Sequence, residues 1–270
     1  MADTSRRFRR PGVGWFELAL ALLGSLVLLL AVAPLISITL STPLGDLRDA
    51  AADREVVNSI GLTLGAAFLA TVFSAAAGIP LAYLLARRRF AGRALLLAVI
   101  DLPIVVPHSA AGIALLTVIG RQSLIGRLFG HSLAGTVAGI SLAMAFVSLP
   151  LLLNGAREAF SAVPPRLEKA ARTLGASPAR VFFTISLPLA WRGILSGMIL
   201  MWARGISEFG AVVIIAYHPM VTPVLVFRRF NDFGLVAARS VAVLLILICI
   251  ALFIVLRVLS RPGTEEPPSA

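Results

Sequence analysis

Apolar residues gather into six long runs separated by short polar segments. The runs are Trp15–Leu40, Asn58–Ala86, Ala94–Ile119, Leu133–Ala156, Leu189–Tyr217 and Val236–Leu259. A helix of roughly 20 mostly apolar residues crosses the hydrocarbon core of a bilayer. The pattern therefore predicts an all-α integral membrane protein with six transmembrane helices. The fifth run is the least clean, because Arg204 and Glu208 interrupt it. Between the fourth and fifth runs lies a polar segment, residues 157–188, whose own pattern differs from the other connections. Pro164-Pro165 suits the first turn of a helix, and Arg166–Leu174 is rich in helix formers. Gly175 supplies a left-handed cap, and Ser177-Pro178 repeats the start signal. Two short helices meeting at Gly175 are expected. Leu167, Ala171 and Leu174 fall on one face of the first, with Arg166, Glu168, Lys169 and Arg172 away from it.

Composition agrees with the runs. Of 270 residues, 59% are hydrophobic and 14% charged, against about 45–50% and about 25% in soluble domains. A soluble enzyme is excluded on that ground. The formal net charge of +11 would point to nucleic acid on a soluble chain. Here the basic residues sit between apolar runs and report orientation instead. With the N-terminus in the cytoplasm, 16 Lys and Arg lie at inner segments and 7 at outer ones, with Arg204 inside a span. Basic loops stay cytoplasmic, so both termini are expected inside, in a multi-pass protein of the plasma membrane. The first outer loop carries Asp46, Asp49, Asp53 and Glu55. Residues 1–14 form a basic cytoplasmic N-terminus, 15–40 the first span and 260–270 a polar, Pro-rich tail. Ser5-Arg6-Arg7 before an apolar run resembles a secretion signal, and Ala31-Val32-Ala33 its cleavage site. The run exceeds a signal's usual ~7–15 residues, and Pro34 follows the cut. An uncleaved span is expected.

Little chemistry is predicted along the chain. The single cysteine, Cys249, and three scattered histidines offer no metal site. No catalytic residues and no bound cofactor are expected. A phosphate-binding loop needs G-x-x-x-x-G-K-[ST]. The sole lysine, Lys169, is followed by Ala170 and preceded by no glycine.

The polar segment carries a family resemblance. Lys169-Ala170-Ala171, three residues, Gly175, nine residues, then Ile185-Ser186-Leu187-Pro188 resembles the EAA loop of ATP-binding cassette importer permeases, whose pattern is E-A-A-x3-G-x9-I-x-L-P. The family's glutamate position holds Lys169, with Glu168 just before it. Either Glu168 substitutes after a slight rotation, or the acidic contact is dispensable. On the family pattern, Lys169→Glu restores an acid and is expected to be tolerated. The resemblance implies a permease core over 58–259, with Glu168, Lys169, Ala170, Ala171 and Gly175 coupling it to a cytoplasmic ATPase. It further implies two separate ATPase subunits that hold ATP and magnesium, an external solute-binding protein, and a second permease copy as a homodimer. No nucleic acid is expected as a partner.

The fifth run holds the second unusual pattern. A charge at a helix centre costs about 2.5–3.5 kcal/mol on insertion scales, so Arg204 and Glu208 do not face lipid. They sit four apart and can form a self-neutralising structural pair. Alternatively Arg204, Gly205, Ser207, Glu208 and Gly210 line a path, the glycines permitting a break or close approach. The segment Ala203–Val213, with Tyr217-His218-Pro219-Met220 after it, resembles molybdate/tungstate permeases, and its Glu-Phe-Gly-Ala core also resembles sulfate permeases. The resemblance implies import of a tetrahedral oxyanion. An ion-coupled secondary transporter, with Asp101 and Glu208 as coupling acids, is the competing class. Gly205-x-Ser207-x-x-Gly210 has the wrong spacing for a hydrolase nucleophile elbow. Asp101 is expected to face the bundle interior or cap a kinked helix near Pro103 and Pro107. His108 reads as a satisfied interior histidine, and Trp15, Tyr83 and Tyr217 as interface anchors.

Overall fold

The computed structural model describes residues 14–259. The basic N-terminus up to residue 13 and the polar tail from residue 260 lie outside them. Among the described residues every regular element is helical. The order is α1 Trp15–Leu40, α2 Leu44–Ala52, α3 Arg54–Arg87, α4 Arg93–Val105, α5 His108–Ile119, α6 Leu124–Phe129 and α7 Val137–Ala162. Then come α8 Pro165–Thr173, α9 Pro178–Val181, a π-turn Phe182–Ser186, α10 Leu187–Ile206, α11 Gly210–Ile215, α12 Thr222–Phe233 and α13 Leu235–Leu259. Five of the described helices are long and apolar enough to cross a membrane, or six if the bent pair α4–α5 counts as one span.

The bundle is built around α7, which packs along both α3 and α10. Small residues let backbones approach where no hydrophobic force drives helices together in lipid. A Cβ on Gly155 of α7 would lie 3.1 Å from the Cα of Gly197 on α10, so this crossing is open only to glycine without a shift. One core gathers Ala67, Ala143, Met144, Val147, Val212 and Val224; a second, nearer the α8 end, joins Leu153, Phe160 and Ile194. Tyr83 belongs to that second core. Its ring meets Phe160 and Phe182 edge-on at 5.2 and 4.9 Å, so it is a packing residue as well as a span-end residue. By contrast α1 has no buried residue within the chain.

Two expected spans are interrupted. The run Ala94–Ile119 is not one helix: α4 ends at Val105, and α5 leaves at 114° to it. Pro107, which has no N–H and stands as the N-cap of α5, accounts for the stop. The run Leu189–Tyr217 likewise ends early. Its helix stops at Ile206, residues 207–209 are non-helical, and α11 restarts at Gly210. At the opposite end from α8, charge ties the start of α3 to α12, where Asp53 and Glu55 hold Arg229 and Arg228, and joins α2 to α13, where Arg239 lies 3.8 Å from Asp46.

Candidate functional site

The polar segment folds as two short helices around Gly175. Pro165 occupies the first turn of α8. At its end Gly175 has φ +87°, its N–H bonds the Arg172 carbonyl, and the Ala176 N–H reaches back to Ala171 O at 3.0 Å. This crossed pair satisfies the last carbonyls of the helix and needs the left-handed residue. Ser177 Oγ then accepts from the Arg180 N–H, capping α9. Beyond it the Leu187 N–H bonds Phe182 O, five residues back. Pro188, lacking an N–H, cannot close the normal bond, and the π-turn carries the chain past it.

The structure decides which face of α8 meets the bundle. Glu168 is 6% exposed, whereas Leu167 and Leu174 are 40% and 89% exposed. Leu167 and Leu174 point out, Ala171 is half-buried, and the acid points in. Arg87 Nε donates to Glu168 Oε1 at 2.8 Å, and Ser186 Oγ donates to the same oxygen at 2.7 Å. Tyr83 Oη reaches Oε2 at 3.5 Å, and Arg87 Nη2 bonds the Val163 carbonyl. A carboxylate buried this far must be paired and hydrogen-bonded, and the register of α8 follows from that need. Glu168 therefore holds α8 against α3 and the π-turn and offers no acid outward. Lys169, Ala170 and Gly175 are on the exposed side.

The two interruptions meet. Arg204, in the last turn of α10, lies 3.0 Å from Glu208 Oε2, an ion pair not aligned as a hydrogen bond. Glu208 Oε1 accepts from the Ala211 N–H at 2.9 Å, so the acid also starts α11. His108, first residue of α5, places Nε2 2.9 Å from Arg204 Nη2 and Nδ1 3.7 Å from Glu208 Oε2. Ser207 Oγ donates to Arg204 O and lies 3.4 Å from Nη1. Gly210 permits the approach, since a Cβ there would come 2.8 Å from the His108 Cβ. Gly205 stays helical and backs onto Ala67, where a Cβ would come 3.2 Å from that residue's Cβ. The five pathway candidates thus share one break, and His108 joins them. The sequence held one clue to this, the proline before it. Asp101, as expected, faces the interior and accepts from Asn154 Nδ2 at 2.7 Å. Trp202 Nε1 donates to Leu64 O at 3.1 Å and ties α10 to α3.

The family model described as the inner membrane component of binding-protein-dependent transport systems matches residues 78–261. The chain belongs to this family. The permease is 45% identical over 205 residues to the molybdate/tungstate transport system permease protein WtpB of Pyrococcus abyssi, covering 76% of this chain and 79% of that one. It is 33% identical over 252 residues to the sulfate transport system permease protein CysT of Salmonella typhimurium, covering 90% of each. Its fold matches a chain of a bacterial ABC transporter involved in import of alginate, an acidic polysaccharide. That match has a TM-score of 0.67 over 93% of this chain and 96% of that one, at 15% identity. At that identity only the fold is shared. The family-model match, residues 78–261, spans both the loop around Gly175 and the break around Glu208.

Proposed function

We propose that this permease is the membrane-spanning subunit of an ATP-driven importer of a tetrahedral oxyanion, molybdate or tungstate. The observation that carries the reading is the loop 157–188. It presents a short helix rigidly pinned from behind by Glu168 and bearing outward an exposed Leu174 beside basic residues. Such a knob suits a groove on a cytoplasmic ATPase, which would place both chain termini on that same side. ATP and magnesium belong to that subunit. A second permease copy completes the path, and an external binding protein delivers solute. The substrate rests on the relative named for molybdate and tungstate, which stands at higher identity than the one named for sulfate.

Arg204 is the anion-facing group in this reading. Its side chain keeps 28% of its surface exposed, while its counter-ion Glu208 is sealed at 1%. Open space at the break meets the cation and not the acid, and a basic lining favours anions in a path. Asp101 and Glu208 are both engaged, by Asn154 and by Arg204 with the Ala211 N–H. That engagement speaks for structural acids over coupling acids in a secondary carrier.

The test is uptake by the assembled complex in proteoliposomes with molybdate, tungstate and sulfate, with ATP and with an imposed ion gradient. ATP-dependent uptake preferring molybdate or tungstate is expected. Uptake that follows the ion gradient without ATP defeats the reading.

A further inference from the structure

Between α8 and the adjoining end of α3 lies a cavity of about 320 Å³. Its charged lining is Arg87, Arg88, Glu168, Lys169 and Arg172, with Pro178 at its edge. Arg87 and Glu168 neutralise each other at 2.8 Å. The side chains of Arg88, Lys169 and Arg172 have no hydrogen bond or ion pair to any described residue. Three uncompensated cations therefore border one cavity whose only acid is already committed.

We propose that this cavity is a cationic socket that receives a carboxylate side chain of the docking ATPase. The proposal rests on the reading of α8 as the docking element and adds the charge of the partner. Mutual repulsion among close cations is relieved by an anion placed between them. Arginine and lysine around a carboxylate give charge-assisted hydrogen bonds, and a guanidinium can grip it with two. The occupant is a protein acid and not a lipid headgroup because of Leu174. It is 89% exposed, two positions beyond Arg172, and offers apolar contact that a protein groove can bury and a headgroup cannot. An apolar anchor bordered by complementary charge is the composition of a protein interface.

The charge also sets partner choice. The family pattern puts an acid where Lys169 stands, and such a knob asks for a basic partner. Here the single acid has turned inward, so the outward charge is reversed. An ATPase whose groove matches an acidic knob would meet like charge at this socket, and like charge rejects wrong partners. Lys169→Glu, a restoration on the family pattern, becomes a disruption on this geometry.

Lys169 is the sole lysine of the chain, which makes the experiment direct. A carbodiimide joins an amine to a carboxylate in contact, with no spacer. Applied to the detergent-solubilised permease–ATPase complex, it is expected to link the two chains. The peptide pair joined through Lys169 Nζ, identified by mass spectrometry and normalised to ATPase recovered, should be absent in Lys169→Arg, which has no side-chain amine. The double variant Lys169→Glu with Arg172→Glu should retain at least ten-fold less ATPase at low salt. Linked bands that contain no Lys169–carboxylate peptide pair in the wild type, or no linked band at all, overturn the socket. So does full ATPase retention by the double variant. Gly175→Asp separates the two readings. If it loses the ATPase while the double variant keeps it, the socket falls and docking on the loop stands. If both keep it, the loop is not the seat and both readings fall. A double variant that keeps its ATPase but binds phosphatidylglycerol vesicles more weakly assigns the cavity to a headgroup and overturns the proposal.

Discussion

Arg204 and Glu208 are four residues apart and 3.0 Å from each other, yet the helix carrying Arg204 ends between them. The pair bridges a break instead of lying along one helix face. Removing one partner of a buried pair costs about 3–5 kcal/mol, whereas removing both is often near neutral. Arg204→Ala and Glu208→Ala should each lower detergent stability. The double alanine should recover stability but not substrate-stimulated ATPase activity, because the open cation is gone from the path. Recovery of both properties would return the pair to a purely structural role.

Glu168 should matter to the loop in the same way. Glu168→Ala strands Arg87 beside Tyr83 and frees Ser186, and should loosen α8 by about 3–5 kcal/mol. Limited proteolysis near Gly175 should quicken, and adding Arg87→Ala should slow it again. Unchanged proteolysis in Glu168→Ala would show that the burial does not hold α8.

Orientation can be read by labelling. Thr42 is only 6% exposed and is a poor reporter, whereas Gly45 and Thr173 are exposed. In a Cys249→Ala background, an impermeant thiol reagent added outside should reach a cysteine at 45 and not one at 173. The reverse result would invert the topology.

The clamp between the start of α3 and α12 carries an acid dependence. The Arg229 guanidinium, bonded to Asp53, holds that carboxyl below its ordinary 3.8, with the Glu55 N–H assisting. A lowered folded value means that the contribution is complete above the unfolded value and is lost as pH falls through the folded one. The loss therefore belongs below about pH 4. Thermal unfolding of wild type and Asp53→Asn should differ at pH 7 and converge toward pH 3. A difference that stays constant over this range would sink the assignment.

The hydrophobic pattern alone determined the all-helical membrane class. The Ala-Ala-x3-Gly-x9-Ile-x-Leu-Pro spacing from Ala170 to Pro188 pointed to the family, and Gly175, Ser177 and Pro178 determined the shape of the loop. These are local properties: bilayer thickness counts apolar residues, and a left-handed cap needs a glycine wherever the chain lies. Tertiary structure decided the rest. The i, i+4, i+7 pattern of Leu167, Ala171 and Leu174 was real, but it did not say which side faced the bundle. Arg87, 81 residues before Glu168, settled that by demanding a buried carboxylate. Pro107 announced a break, and Gly210 announced a close approach. Only the packing of α11 on α5 brought His108 within hydrogen-bond distance of Arg204, 96 residues away. Long-range pairing of charges depends on which helices touch, and in this bundle the small residues that let them touch carry no charge signal of their own.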